Sequence, residues 1–188
     1  VGATALGLLL LVASALAVLA SAWFHLGTAM PASYAVNRDA EKLQREFRLQ
    51  VQEFKNVLVR GSDDALREKH MAALVEEGRK VRELAATVGR ADDARTREQV
   101  TAFIADQDAL QRDYQRALQA YIASGYDPAA GDAPVHGRDG PLAQALDALA
   151  AHTARVADAD IAQRAADARE LLVTSAVVII VAALVLLL

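Results

Sequence analysis

The sequence predicts an all-α fold: an up-down-up-down four-helix bundle whose first and last helices continue into transmembrane helices. Three observations predict it. All 44 charged side chains, 20 Lys and Arg with 24 Asp and Glu, lie between Arg38 and Glu170, so the first 37 and the last 18 residues are uncharged. Between them Ala, Leu, Glu, Gln and Arg dominate, apolar residues recur at steps of three and four, and the alternating β-branched runs of strands are absent. Gly, Pro and acidic residues punctuate this stretch at intervals of one long helix.

The first element is apolar from Val1 to Trp23, interrupted only by Gly, Ser and Thr. A bilayer core of about 30 Å needs roughly 20 such residues in a helix, so residues 1–26 are assigned to a first membrane crossing. Ala20 to Ala22 also reads as a signal-peptidase site, but signal h-regions run to about 7–15 residues and follow a basic segment that is not visible here. Ala13, Ala17 and Ser21 are spaced to let membrane helices approach closely. Trp23 and His25 suit a membrane interface. Leu171 to Leu188 supplies a second apolar run. A start at Val1 and a stop inside an apolar run read as a fragment cut within or near both crossings. The water-exposed domain is then 27–170, and 171–188 is a truncated second crossing.

Within that domain the first helix is expected from about Met30 to Val59, with Leu43, Phe47, Val51 or Gln50, Phe54 and Leu58 facing the core and Gly61 as a left-handed cap. Ser62, Asp63 and Asp64 open the second with capping and dipole-favoured residues. Its stripe is Leu66, His70, Ala73, Glu77, Val81, Leu84 and Val88, and Gly89 closes it. Asp92 or Asp93 starts the third, whose stripe is Val100, Phe103, Gln107, Leu110, Tyr114, Ala117 and Tyr121. Gly125 to Gly140, with Pro128 and Pro134, is expected to be non-helical. Pro141 takes the first position of the fourth helix, where a missing N–H is harmless. That helix runs through Glu170 into the second crossing with no breaker, and its Ala150, Ala154, Ala157, Ala165 and Ala168 form a small-residue seam. Helices of roughly 25–32 residues are about 40–48 Å long, matched well enough to lie side by side.

Composition excludes several functions. With no Cys there is no disulfide, thiolate metal site or Cys nucleophile. A net charge of -4 with alternating signs gives no basic face for nucleic acid. No phosphate loop, nucleophile elbow or zinc-spaced His pair is present, and His25, His70, His136 and His152 are scattered. The expectation is a protein that is not an enzyme and carries no cofactor or metal.

The chemistry-bearing stretch is VQEFKNVLVRG, Val51 to Gly61, at the end of the first helix away from the apolar termini. Counting residues outward from the turn brings His70 level with Phe54 and Lys55, and Tyr114 to about the same height. Lys55, Asn56, Arg60, His70 and Tyr114 then surround a small anionic or polar molecule, with Arg60 offering a fork for a carboxylate. The plainer reading keeps Lys55 and Arg60 solvated, Asn56 peripheral, His70 hydrogen-bonded in the core and Tyr114 as core filling.

VQEFKNVLVRGSDDAL, Val51 to Leu66, resembles a recurrent stretch in the periplasmic sensor regions of bacterial methyl-accepting chemotaxis proteins. Gly125 to Leu146, GYDPAAGDAPVHGRDGPLAQAL, is similar to the long loop before the fourth helix of those receptors. Phe54 stands where the family leads one to expect Trp, and His136 and Gly140 stand at positions expected to be basic. The resemblance implies a homodimeric chemoreceptor in the bacterial inner membrane with its central domain in the periplasm. Such a receptor senses a small solute or a docked periplasmic binding protein, and sliding of the last helix signals to cytoplasmic partners through domains absent here. Similar sensor regions are attached to diguanylate cyclases and histidine kinases. A membrane-anchored structural bundle with no signalling role is the alternative of a different class.

Overall fold

The structure, a computed structural model, describes residues 7, 13–18, 20–21 and 32–187, with side chains described as far as residue 184. The chain divides into two compact units, Ala32–Val156 and the remainder, Val1–Pro31 with Ala157–Leu188. The expected first crossing, 1–26, and the expected start of the first helix at Met30 lie largely outside the described residues. Among those residues there is no strand, and no helix is long and apolar enough to cross a membrane.

Four long helices and one short one follow in order: α1 (Ala32–Arg60), α2 (Asp64–Val88), α3 (Ala94–Ala123), α4 (Pro128–Asp132) and α5 (Asp139–Leu187). The starts of α2 and α3 are fixed by side chains that accept otherwise orphaned N–H groups. Asp63 accepts from the Leu66 N–H at 3.0 Å, and Asp93 from the Thr96 N–H at 2.7 Å. Gly89 ends α2 in a right-handed conformation, φ -65°, donating back to the Ala85 carbonyl.

The core of the Ala32–Val156 unit draws on every long helix. Leu43, Phe47, Phe54 and Val57 of α1 meet Val81 and Val88 of α2, Val100, Phe103, Leu110 and Tyr121 of α3, and Leu142, Leu146 and Leu149 of α5. Phe47 and Phe103 meet edge to face, with centroids 5.9 Å apart at 81°. One polar layer crosses this core. The Gln107 side-chain amide donates to the Gln50 carbonyl at 2.7 Å, and both residues are buried. The start of α5 is tied to α1 by Asp147, which accepts from Gln44 and from Arg48, and by Thr153, whose hydroxyl donates to Asn37 at 2.9 Å.

All seven residues of the expected α3 stripe are buried. On α2 the buried line is His70, Leu74, Val81, Ala85 and Val88. Leu74 and Ala85 therefore replace Ala73 and Leu84, and Leu66 at the helix start is exposed. Residues 125–140 are not wholly irregular. Pro128 begins α4 at a position where its missing N–H is harmless, and Asp127 caps that turn by accepting from the Ala129 N–H at 3.1 Å. Helix α5 starts at Asp139, two residues before Pro141, which still lies in the first turn where no intrahelical donor is needed. Its helical hydrogen bonding continues past Glu170 to Leu187.

Gly61 is not a left-handed cap, since the positive-φ glycines among the described residues are Gly125 and Gly137. Its lack of a side chain serves close packing: a Cβ there would overlap the Val57 carbonyl oxygen and stand 3.1 Å from the Tyr121 hydroxyl. Gly131 does the same for α4, where a Cβ would sit 2.5 Å from Leu58 Cδ2 and 3.0 Å from Tyr121 Cβ. Gly131→Ala is therefore expected to cost about 1–2 kcal/mol, low in the range for overpacking because the Leu58 methyl can swing aside. A thermal melt followed by circular dichroism reads this out, and an unshifted midpoint would show that α4 is not packed this tightly.

Candidate functional site

Near the Gly61 turn, a cleft of about 260 Å³ opens between α1, α3 and the segment leading into α5. Phe54 and Tyr114 form an aromatic floor, stacked with centroids 4.2 Å apart and planes 19° from parallel. Each has its place because it belongs to the apolar stripe of its helix, where buried rings from α1 and α3 face each other across the core.

The Tyr114 side chain is only 3% exposed, and its hydroxyl has no hydrogen-bond partner although the residue lines the cleft. Burial, with the negative charge of Asp139 adding to it, holds this phenol above its ordinary pKa. The hydroxyl is thus a neutral donor with nothing to donate to, an arrangement that costs free energy unless an acceptor arrives.

One ion pair and one histidine–carboxylate contact form the rim. Lys55 Nζ lies 3.6 Å from Asp139 Oδ2, with the side chains 58% and 35% exposed, so the pair is loose and water-screened. His136 Nδ1 lies 3.0 Å from Asp132 Oδ2, one helical turn earlier in the chain. The segment carrying these rim residues is fastened to α3 by Arg138, which lies 3.0 Å from the buried carboxylate of Asp113.

The tip beyond the cleft is held by Arg67. Its guanidinium donates to the Gly61 carbonyl at 2.7 Å, pairs with Asp64 and lies 4.7 Å from the Tyr126 ring centroid. Tyr126 has φ +71°, an uncommon conformation for a bulky residue, and it also packs edge to face on Tyr121. These contacts lock the α1–α2 turn to the segment after α3.

Of the five residues singled out from the sequence, the structure brings Lys55 and Tyr114 together at the cleft. Asn56 and His70 meet elsewhere on α1, through Glu53. One Glu53 oxygen accepts from the Asn56 amide at 3.3 Å, and the other lies 2.6 Å from His70 Nδ1. His70 is therefore at the expected height but on the α1–α2 side. Its Nε2 is buried without a partner. Arg60 is exposed, and its side chain has no ion pair among the described residues. Sequence reasoning did not place Asp132, His136 and Asp139 at the cleft. The only available sign is the density of polar residues around Gly137, a weak one in a segment rich in turn formers.

No family model matches the chain, and no solved structure matches it. It is similar to the methyl-accepting chemotaxis protein CtpH of Pseudomonas aeruginosa, with 27% identity over 139 residues. The match covers 74% of this chain and 24% of that protein, so the chain spans about a quarter of its relative's length. The likeness relates the chain to a region of a methyl-accepting chemotaxis protein.

Proposed function

We propose that the chain is the sensing portion of a chemoreceptor in the bacterial inner membrane. In this reading the apolar segments 1–26 and 171–188 cross the membrane, and the helical unit between them faces the periplasm. The unit takes up a small anionic or polar solute, works as a homodimer and signals to cytoplasmic partners through its last helix. The observation that carries the reading is the 139-residue likeness to a methyl-accepting chemotaxis protein. The confinement of every charge to residues 38–170 supports the membrane layout.

Solute contact is assigned to the cleft, where Lys55 and the unpartnered Tyr114 hydroxyl are two donors with complementary roles. Lys55 supplies a screened positive charge at the rim. Tyr114 supplies a buried directional hydrogen bond, stronger in the lower local dielectric. Arg60, exposed one and a half turns further along α1, extends the positive field at the tip. Occupation shifts the receptor only as far as the solute binds one packing of the helices better than another.

A hybrid tests this reading: the matching part of CtpH is replaced by this chain, and swimming cells are scored for directed movement toward small oxyanions and polar solutes. The expected result is a response whose threshold concentration rises at least tenfold on Lys55→Gln, through loss of a charge-assisted contact worth about 1.5 kcal/mol or more. A hybrid that reaches the membrane and answers to none of the solutes overturns the receptor reading. A response untouched by Lys55→Gln removes the cleft from it.

A further inference from the structure

Resting on the assignment of the cleft to an anionic solute, we infer that Asp139 is an internal stand-in for that solute: it occupies Lys55 when the cleft is empty and is displaced when the cleft fills. Four observations meet at this point. Asp139 Oδ2 lies 3.6 Å from Lys55 Nζ, close enough to neutralise the charge yet too far for a strong hydrogen bond. Both residues line the cleft. The negative charge of Asp139 also adds to burial in keeping the Tyr114 phenol un-ionised, so the carboxylate lies within electrostatic reach of that side chain. That hydroxyl is nonetheless left without a partner, so Asp139 fills the Lys55 position without completing the site.

An anion reaching both Lys55 and Tyr114 makes the contact that Asp139 makes and also the one it cannot. Two negative charges beside Lys55 and the adjoining phenol repel each other, so binding and the Lys55–Asp139 pair oppose each other.

The consequence lies in where Asp139 sits. It is the first residue of α5, and Lys55 belongs to α1. Exchange of partners therefore removes the tie between the first residue of α5 and α1, while Asp147, two turns further along, keeps its contacts with Gln44 and Arg48. The preceding residue, Arg138, stays paired to Asp113 on α3. The solute thus changes the contacts of the first turn of α5 and leaves those further along in place, a differential contact of the kind a two-state receptor requires.

Two substitutions have opposite expected effects, measured by isothermal titration of the full chain in lipid nanodiscs with acetate, succinate, sulfate and inorganic phosphate. Asp139→Asn removes the competing charge while keeping a residue that suits a helix start. It is expected to tighten binding about two- to fivefold, the scale of an exposed ion pair. Lys55→Gln is expected to weaken binding at least tenfold. If the unsubstituted chain binds, Lys55→Gln weakens it and Asp139→Asn leaves it unchanged or weaker, the stand-in role of Asp139 is overturned while the cleft assignment stands. If none of the four anions binds the unsubstituted chain or Asp139→Asn, both fall together.

Discussion

Phe54→Ala is expected to lower the stability of the helical unit by about 3–5 kcal/mol, the usual cost of emptying a buried aromatic position. Phe54 is 2% exposed and lies face to face with Tyr114 at 4.2 Å. Its loss removes apolar area from the α1–α3 contact and leaves a cavity beside a hydroxyl that already lacks a partner. Phe54→Leu separates the two contributions. Leu refills most of the volume but cannot stack, so it is expected to forfeit the aromatic pairing, roughly 0.5–1.5 kcal/mol, plus a small packing defect. Urea titration followed by circular dichroism should rank unsubstituted above Leu above Ala. Equal midpoints for Phe and Ala would mean that the floor of the cleft is not part of the core. Because Tyr114 keeps its place only while Phe54 supports it, solute affinity is expected to follow the same ranking.

The bundle was legible where periodicity alone decides burial. On α3 every residue of the expected stripe is buried, because the helix contributes to the core along its whole length. On α1 the choice between Gln50 and Val51 needs information the sequence lacks. Gln50 is fully buried because Gln107, 57 residues later, supplies its hydrogen bond. An apolar-stripe rule favours Val51, and only the partner across the core reverses that preference. On α2 a drift of one residue exchanges Ala73 and Leu84 for Leu74 and Ala85, which a helix rich in small residues permits at little cost.

The cleft was legible by half for a related reason. Lys55 and Tyr114 lie on helices whose phase and height can be counted from a turn, and they meet. Height was also sufficient for His70 to meet α1 at the right level, where Glu53 holds it at 2.6 Å. Counting gives no azimuth between neighbouring helices, however, so the side was missed. Asp132, His136 and Asp139 reach the cleft through a segment whose course depends on Gly131 nesting against Leu58 and Tyr121, and on Arg138 meeting Asp113. Both are long-range contacts with no local pattern.

Asp93→Ala is expected to cost about 2–3 kcal/mol at neutral pH, because one carboxylate does two tasks. It caps α3, accepting from the Thr96 N–H at 2.7 Å, and it lies 2.7 Å from His152 Nε2 on α5. Loss of a cap alone is worth about 0.5–2 kcal/mol, and His152, with its side chain 13% exposed, is left without that partner. The His152 hydrogen bond first, and the Thr96 contacts second, hold the Asp93 carboxyl at about 2, below its ordinary 3.8. As pH falls, the unfolded chain takes up this proton near 3.8 while the folded chain resists until about 2. The stabilisation is therefore complete above about pH 4 and lost between pH 4 and 2. Discounted for solvent screening, it amounts to about 1 kcal/mol. Asp93→Asn keeps a cap and removes the charge, so its stability should fall less steeply over that interval than that of the unsubstituted chain. An identical acid profile for the two would show that His152 is not held by this carboxylate. Asp139 and His152 are 13 residues apart on α5, about 20 Å along a helix. The Asp93 latch thus secures α5 well beyond the point where Lys55 releases it, and weakening that latch should make the first turns of α5 respond more readily to events in the cleft.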